Sequence, residues 1–152
     1  MSLSNDRIYC LYEDNSDTLW IGTANGLNKL QPKTRQFVHF LSADGLASDY
    51  VRAIVGDEHG NLWLSTSKGI TKFNPETKDV KNYDVNNGLQ GNEFSTSCKT
   101  ADGLILAGGN NGINIFHPDS IHENRHIPPV VITRFSIFEK PVVGQQQLLS
   151  AG

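Results

Sequence analysis

A chain of 152 residues, 38% of them hydrophobic and 19% charged, has the composition of one soluble folded domain. This excludes a disordered or membrane-embedded chain. The net charge of -3 and 13 scattered Lys and Arg residues argue against a nucleic-acid partner, because phosphate binding needs clustered basic side chains. Cys10 and Cys98 are too few for a disulfide framework, and we expect both to be small buried side chains.

One repeat of 43 residues occurs three times in register. The pair Leu19-Trp20 recurs 43 positions later as Leu62-Trp63, and Leu106 takes the tryptophan position in the third copy. The same spacing separates two further sets of turn residues, which are Gly26, Gly69 and Gly112, and Pro32, Pro75 and Pro118. Such a period is the sequence signature of a repeat architecture.

The second copy shows most clearly what one repeat forms. Runs rich in β-forming residues, bounded by turn residues, predict four short strands at Val51–Val55, Leu62–Thr66, Ile70–Phe73 and Val80–Tyr83. Helical periodicity is absent from this segment. Four short antiparallel strands in every repeat predict an all-β fold, a partial β-propeller of about three blades.

Two sets of repeated residues have physical roles in such a blade. The three repeated glycines follow two-residue hairpin turns and are expected to have positive φ. Trp20 and Trp63 are large enough to fill the space between neighbouring blades, and we interpret them as packing residues. The acidic turns Asp14–Asp17 and Asp57–Gly60 are interpreted as hairpin turns, because they lack the alternating ligands of a calcium loop.

The third copy stops before its fourth strand. A polar stretch and the pair Pro128-Pro129 replace that strand, and a new β-like run begins at Val130. We therefore divide the chain into a cloning remnant at 1–3, a first blade at 4–47, a second at 48–90, an incomplete third at 91–120, a linker at 121–129 and a truncated second domain at 130–152.

The linker contains a motif that resembles a zinc site. His122-Glu123-Asn124-Arg125-His126 matches the H-E-x-x-H pattern, in which two histidines on one helical face bind zinc. Prolines on both sides leave room for barely two helical turns with no apolar face to bury. We interpret the pentad as a solvated linker and expect neither a metal nor another cofactor.

The repeat resembles that of the two-component regulator propellers. The second copy carries the resemblance in Asp57, Gly60–Thr66, Gly69-Ile70 and Asn74-Pro75. The third copy looks like the last blade of such propellers, and Pro128–Phe138 looks like the beginning of the Ig-like domain that follows them. The resemblance implies part of the periplasmic sensor region of a hybrid two-component system, in an inner-membrane receptor common in Bacteroidetes and often tuned to glycan breakdown products.

The same resemblance implies signal transduction to a histidine kinase through a phosphorelay, with no catalysis by this chain. The kinase, the receiver and the remaining blades would lie in the parent protein. We expect no direct membrane contact from this segment, and we expect it to hide its open blade faces by forming a homo-oligomer. Two alternatives stay open: a protein-interaction propeller without a small ligand, and a propeller lyase or glycosidase.

Propeller ligands usually bind over one face, on loops where strands end. The connections from the fourth strand to the next first strand, and from the second to the third, are expected to share such a face. Their amides, charges and one aromatic ring suit a hydroxyl-rich ligand such as an oligosaccharide. The candidate ligand-binding residues on these loops are Asp49, Tyr50, Arg52, Lys68, Asn92, Glu93, Asn110 and Asn111.

Overall fold

The computed structural model describes residues 2–121, 136–137 and 140–141. The chain divides into two units, Met1–Ile121 and His122–Gly152. In the second unit, the strands β12 (Ser136–Ile137) and β13 (Lys140–Pro141) pair antiparallel. The predicted linker, its H-E-x-x-H pentad and the remainder of the predicted Ig-like segment lie outside the described residues, apart from Ile121.

The first unit contains three antiparallel sheets, each formed by consecutive strands of one repeat. The first sheet contains β1 (Ile8–Glu13), β2 (Leu19–Thr23), β3 (Gly26–Gln31) and β4 (Gln36–Phe40). The second contains β5 (Val51–Gly56), β6 (Leu62–Thr66), β7 (Gly69–Phe73) and β8 (Val80–Tyr83). The third contains β9 (Phe94–Lys99), β10 (Ile105–Gly109) and β11 (Gly112–Phe116). Short 3-10 helices follow each sheet at Ser42–Asp44, Val85–Asn87 and Pro118–Ser120.

This arrangement confirms the prediction of a partial β-propeller. The four strands predicted for the second copy are present, with bounds that differ by at most one residue. Within residues 2–121, the third sheet ends at β11 and has no fourth strand. We refer to the three sheets as blades 1, 2 and 3.

Alternating side chains give each blade two apolar faces. The leading face of blade 2, which packs on blade 1, contains Val51, Ile54, Leu62, Leu64 and Phe73. The trailing face of blade 2, which packs on blade 3, contains Val55, Trp63 and Ile70. We use the same two names for the equivalent faces of the other blades. The hydrophobic core is therefore divided into two layers, one at each interface between blades.

The two tryptophans lie in these layers, as predicted. Trp20 is fully buried and meets Phe73 of blade 2 edge-on, with the ring centroids 5.9 Å apart. Trp63 is also buried and lies 5.1 Å from the ring of Phe116 in blade 3. Burial of rings of this size is a main source of stability for blade packing.

The repeated glycines have the predicted backbone conformation. The φ angles of Gly26, Gly69 and Gly112 are 102°, 119° and 97°. At Gly69, an added methyl group would also collide with the carbonyl oxygen of Tyr83 in the fourth strand. Glycine is thus required there both by backbone conformation and by space.

The two cysteines differ, and one expectation about them is wrong. Cys10 is partly buried against the core between blades 1 and 2, and burial raises the pKa of its thiol to about 11. Cys98 is exposed on β9 instead of buried. It occupies the repeat position of Val55, which is covered by blade 3, whereas no described residue covers Cys98. Both thiols are free.

Candidate ligand-binding face

The two predicted sets of loops lie on one face of the first unit. The amide of Gly26 in the β2–β3 turn donates to the carbonyl oxygen of Asp49 in the β4–β5 loop at 2.6 Å. The hydroxyls of Ser48, in the same β4–β5 loop, and of Ser67, in the β6–β7 turn of blade 2, are 2.7 Å apart. We call this side the loop face.

Two of the candidate residues hold the loops together. The carboxylate of Asp49 accepts from the amide of Ser42 at 2.6 Å and from its hydroxyl at 3.1 Å. One repeat later, Asn92 Oδ1 accepts from the amide of Val85 at 3.1 Å. Each side chain fixes the start of a 3-10 helix, so part of its hydrogen-bonding capacity serves the fold.

Three further candidates form a network across the boundary between blades 2 and 3. Arg52 Nη2 lies 2.8 Å from Glu93 Oε1, and Asn110 Nδ2 donates to Glu93 Oε2 at 2.5 Å. The register of β5 against β6 shifts at Arg52, and such bulges redirect a side chain near a strand end. The structure therefore brings together a guanidinium, a carboxylate and an amide that are partly open to solvent.

The remaining three candidates stand around this network. Tyr50 is exposed, Lys68 lies in the exposed β6–β7 turn, and Asn111 Nδ2 donates to the carbonyl oxygen of Gln90 at 2.5 Å. Within residues 2–121, none of the three forms a hydrogen bond with the Arg52–Glu93 pair. Asn111 shares the β10–β11 turn with Asn110, whereas Tyr50 lies in the β4–β5 loop.

The face opposite the loop face contains a cavity that was not predicted from the sequence. A cavity of about 240 Å³ lies between the turns of blades 1 and 2. Its polar lining includes Tyr12, Asp14, Lys29, Asp57 and Asn74. The signal for it was present as an aspartate six residues before each tryptophan, but the sequence alone did not show that these turns enclose a space.

The two cavity aspartates are tied to the tryptophans. Asp14 Oδ2 accepts from Trp20 Nε1 at 2.8 Å, and Asp57 Oδ2 accepts from Trp63 Nε1 at 2.9 Å. Burial raises the pKa of each carboxyl, but hydrogen bonds from the indole and from amides within the turn outweigh it. The pKa of each carboxyl group is therefore below its usual value. Each carboxylate is therefore the charged hydrogen-bond acceptor of its turn.

Metal chemistry finds no support in the part of the chain that the structure describes. No group of three His, Cys, Asp or Glu side chains in that part is placed to hold a metal ion. The described residues also include no helix long and apolar enough to cross a membrane.

Three antiparallel blades packed face to face define the first unit as a β-propeller segment. Residues 2–25 and 45–68 match the family model described as two component regulator propeller. These two segments are thus similar to two-component regulator propeller repeats, in agreement with the resemblance found in the sequence. A search among curated proteins finds no match.

Solved structures share this fold. The extracellular domain of BT3049 from B. thetaiotaomicron, assigned as a hybrid two component system, is 29% identical with a TM-score of 0.76, over 95% of this chain and 19% of that chain. The extracellular domain of BT4673 from the same organism, assigned as a one component system, is 24% identical with a TM-score of 0.65, over 82% and 18%. PorZ of Porphyromonas gingivalis, a surface component of the type-IX secretion system, is 16% identical with a TM-score of 0.63, over 77% and 18%.

The last two similarities show the fold alone. The chain spans about a fifth of the length of the solved chains that it matches.

Proposed function

We propose that this chain is part of the periplasmic sensor region of a hybrid two-component system, in a receptor of the inner membrane. Its role is non-catalytic recognition of glycan-derived ligands, with the signal relayed to a histidine kinase elsewhere in the parent protein. The observation that carries this proposal is the similarity to the extracellular domain of BT3049 over 95% of the chain.

The loop face is the proposed recognition surface. The Arg52–Glu93–Asn110 network offers both donors and acceptors, which suits the hydroxyl groups of a sugar. The exposed ring of Tyr50 offers an apolar surface with a polar tip. Asp49, Lys68, Asn92 and Asn111 complete the proposed surface, and the remaining blades of the parent propeller would add their own loops.

A hydrolytic or lyase role has little support from this geometry. Asp49 and Glu93 are the carboxylates that such an enzyme would use. The carboxylate of Asp49 binds Ser42, and that of Glu93 binds Arg52 and Asn110. Both groups are therefore already engaged by neighbouring protein groups.

Titration calorimetry of the whole parent sensor region against a panel of oligosaccharides tests the proposal. We expect one class to bind, and we expect Arg52→Ala and Tyr50→Ala to weaken that binding at least tenfold, since each removes a direct contact. Asn15→Ala, on the opposite face, is the matched control. Turnover of a sugar would indicate an enzyme, whereas binding of a protein and of no sugar would favour the interaction propeller.

We also propose that the chain by itself associates through its open faces. Ile8 and Leu11 on the leading face of blade 1 are 48% and 63% exposed, whereas the equivalent Val51 and Ile54 are buried. Ile113 on the trailing face of blade 3 is exposed too. Exposed apolar patches of this kind favour association. Sedimentation of a compact monomer at high concentration would contradict this proposal.

A further inference from the structure

The cavity between the turns of blades 1 and 2 has a repeat counterpart between blades 2 and 3. Every residue that lines this second, smaller space lies 43 positions after a residue that lines the cavity. The volume of the cavity is about 240 Å³, whereas that of the smaller space is about 20 Å³. The same site is therefore open at one boundary between blades and filled at the next.

Side chains of the protein fill the smaller space. Lys99 of β9 lines it, and the Nζ atom of this lysine lies 2.7 Å from Glu58 Oε1. The hydrogen bond to Glu58 raises the pKa of Lys99, and the nearby carboxylate of Asp57 acts in the same direction. Across the same boundary, His59 Nε2 and Asp119 Oδ1 are 2.8 Å apart. A protonated amine is thus the group that this site accommodates between blades 2 and 3.

The cavity receives no such amine from the equivalent position. Gly56 stands at the repeat position of Lys99, and a methyl group added to it would collide with the hydroxyl of Tyr12. The ammonium group of Lys29 lines the cavity from β3, but it lies over the ring of Trp20, 5.2 Å from the centroid. The boundary between blades 1 and 2 therefore keeps a polar space where the next boundary has a lysine.

The turn carboxylate of blade 1 also lacks a hydrogen bond that its counterpart in blade 2 receives. Asp57 accepts from two turn amides, from the indole of its blade and from Asn61 Nδ2, which lies 3.2 Å and 2.9 Å from the two carboxylate oxygens. Asp14 accepts from two turn amides and from the indole alone. Thr18 takes the position of Asn61 in blade 1, and its side chain has no N–H group. Within residues 2–121, one acceptor position of Asp14 Oδ2 thus has no donor.

Thr18 adds an unpaired hydroxyl beside this carboxylate. Its amide donates to Asp14 Oδ1 at 3.0 Å, so the two residues are held together. Thr18 lines the cavity and is only 7% exposed, yet its hydroxyl forms no hydrogen bond with any residue of the described first unit. Buried polar groups in proteins are in the large majority hydrogen-bonded. Asp14 and Thr18 therefore offer neighbouring acceptors to a ligand in the cavity.

The charges and the size of the cavity favour a small cation. Asp14, Asp57 and Glu76 contribute three carboxylates to the lining, and Lys29 contributes one ammonium group. The pKa of both aspartates is lowered, so both are ionised near neutral pH. The volume is somewhat below the roughly 300–1,000 Å³ of sites for drug-sized molecules, which suits one smaller molecule.

We propose that this cavity binds a small hydroxylated primary amine of the amino-sugar type. Its ammonium group donates to Asp14 Oδ2 and to the hydroxyl oxygen of Thr18, and so replaces the N–H donor that Asn61 supplies in blade 2. Its hydroxyl groups bond the ammonium of Lys29 and the carboxylate of Glu76. Hydrogen bonds between charged groups are roughly twice as strong as neutral ones, so the amine is the main element of recognition.

This site is separate from the proposed recognition surface. It lies on the opposite face, and its ligand-binding residues do not belong to the loop face. The inference does not rest on the proposed function, because a loop face that binds no oligosaccharide would leave the cavity and its acceptors unchanged.

Titration of the 152-residue chain with glucosamine tests the inference. The chain has two tryptophans, and their indole N–H signals in NMR spectra report separately on Asp14 and Asp57. At about pH 6, where the amine is protonated, we expect glucosamine to shift the Trp20 signal more than the Trp63 signal.

Two related sugars are the matched ligand controls. Glucose lacks the amine, and in N-acetylglucosamine the nitrogen carries no charge. Both should bind roughly tenfold more weakly than glucosamine, because the charge-assisted hydrogen bonds are lost. Equal affinity of the three sugars, or no shift of the Trp20 signal with glucosamine, would overturn the proposal.

Two variants of Thr18 test the contact itself. Thr18→Val keeps the shape of the side chain without its hydroxyl, and should weaken glucosamine binding about fivefold. Thr18→Asn introduces the amide that Asn61 has in blade 2; this amide should bond Asp14 and abolish binding without lowering the temperature of thermal unfolding. Asn86→Ala, on an exposed 3-10 helix, is the control that should leave binding unchanged. Undiminished binding by Thr18→Asn would show that Asp14 does not hold the amine.

Discussion

Blades 2 and 3 are built from the same repeat but differ in the residues around the tryptophan position. In blade 2, Asp57, Trp63 and Lys72 form one group, with the indole bonded to the carboxylate and the ammonium 5.6 Å from the ring centroid. In blade 3 the three equivalent positions are taken together by Thr100, Leu106 and Ile115. All three residues of this group therefore differ between blades 2 and 3.

This difference shows that burial in a repeat fold is decided by neighbours as well as by the residue. Ile70 is 2% exposed because blade 3 covers it, whereas Ile113 at the same repeat position is 46% exposed. An interface between repeats contributes a large share of stability in quasi-periodic folds. Substitutions at equivalent positions should therefore lower the free energy of unfolding by unequal amounts.

The largest inequality is expected at the tryptophan position. Trp63→Ala should lower the free energy of unfolding by about 4 kcal/mol, because it leaves a cavity between blades 2 and 3. Leu106→Ala, its counterpart on the half-buried trailing face, should cost about 1 kcal/mol. Urea denaturation followed by circular dichroism measures both. Equal losses would show that the trailing face of blade 3 is covered as fully as that of blade 2.

The next inequality concerns the turn carboxylate. Asp57→Ala should cost about 3 kcal/mol, because it leaves the amides of His59 and Asn61 and the indole of Trp63 without their charged acceptor. Thr100→Ala removes a hydroxyl that donates to the Asp102 carboxylate and bonds the backbone of Leu104, and should lower the free energy of unfolding by about 1 kcal/mol. Thermal unfolding of the two variants compares them directly.

The same carboxylate predicts how stability depends on pH. The folded-state pKa of Asp57 is lowered, so its contribution is fully present above the unfolded value of about 3.9 and is lost as pH falls through the lower folded value. We expect the wild-type chain to lose stability below about pH 4, and Asp57→Asn to lose less over that range. An equal pH dependence in the variant would contradict the assignment.

The smallest inequality concerns the repeated turn glycines. Gly69→Ala and Gly112→Ala both place a methyl group at positive φ, which should cost about 1 kcal/mol in each case. At Gly69 the methyl group also meets the carbonyl oxygen of Tyr83 in β8, which adds about 1–2 kcal/mol. At Gly112 it meets only the end of the flexible Gln90 side chain. If Gly112→Ala proves as costly as Gly69→Ala in urea denaturation, a fourth strand stands beside β11.

Much of this fold could be predicted from the sequence because its signals are local. Alternation and turn residues located the strands of blade 2 to within one residue. The need for positive φ identified Gly26, Gly69 and Gly112 without reference to any neighbour. Ring size predicted Trp20 and Trp63 to be packing residues, because rings of this size fill the space between neighbouring blades.

The candidate site was predicted less completely because its residues have more than one use. An amide or carboxylate in a loop can bind a ligand or cap a turn, and the sequence does not distinguish the two. The structure shows that Asp49 and Asn92 are turn caps, while Arg52, Glu93 and Asn110 meet across a blade boundary. Ligand binding by these residues stays a prediction.

The sequence by itself determined the period of the repeat, the strands of its second copy and the turns. Only the tertiary structure decided which faces of those strands are covered, and it did so through the contacts between repeats. Cys98 shows the difference, because its repeat position is buried in blade 2 and exposed in blade 3.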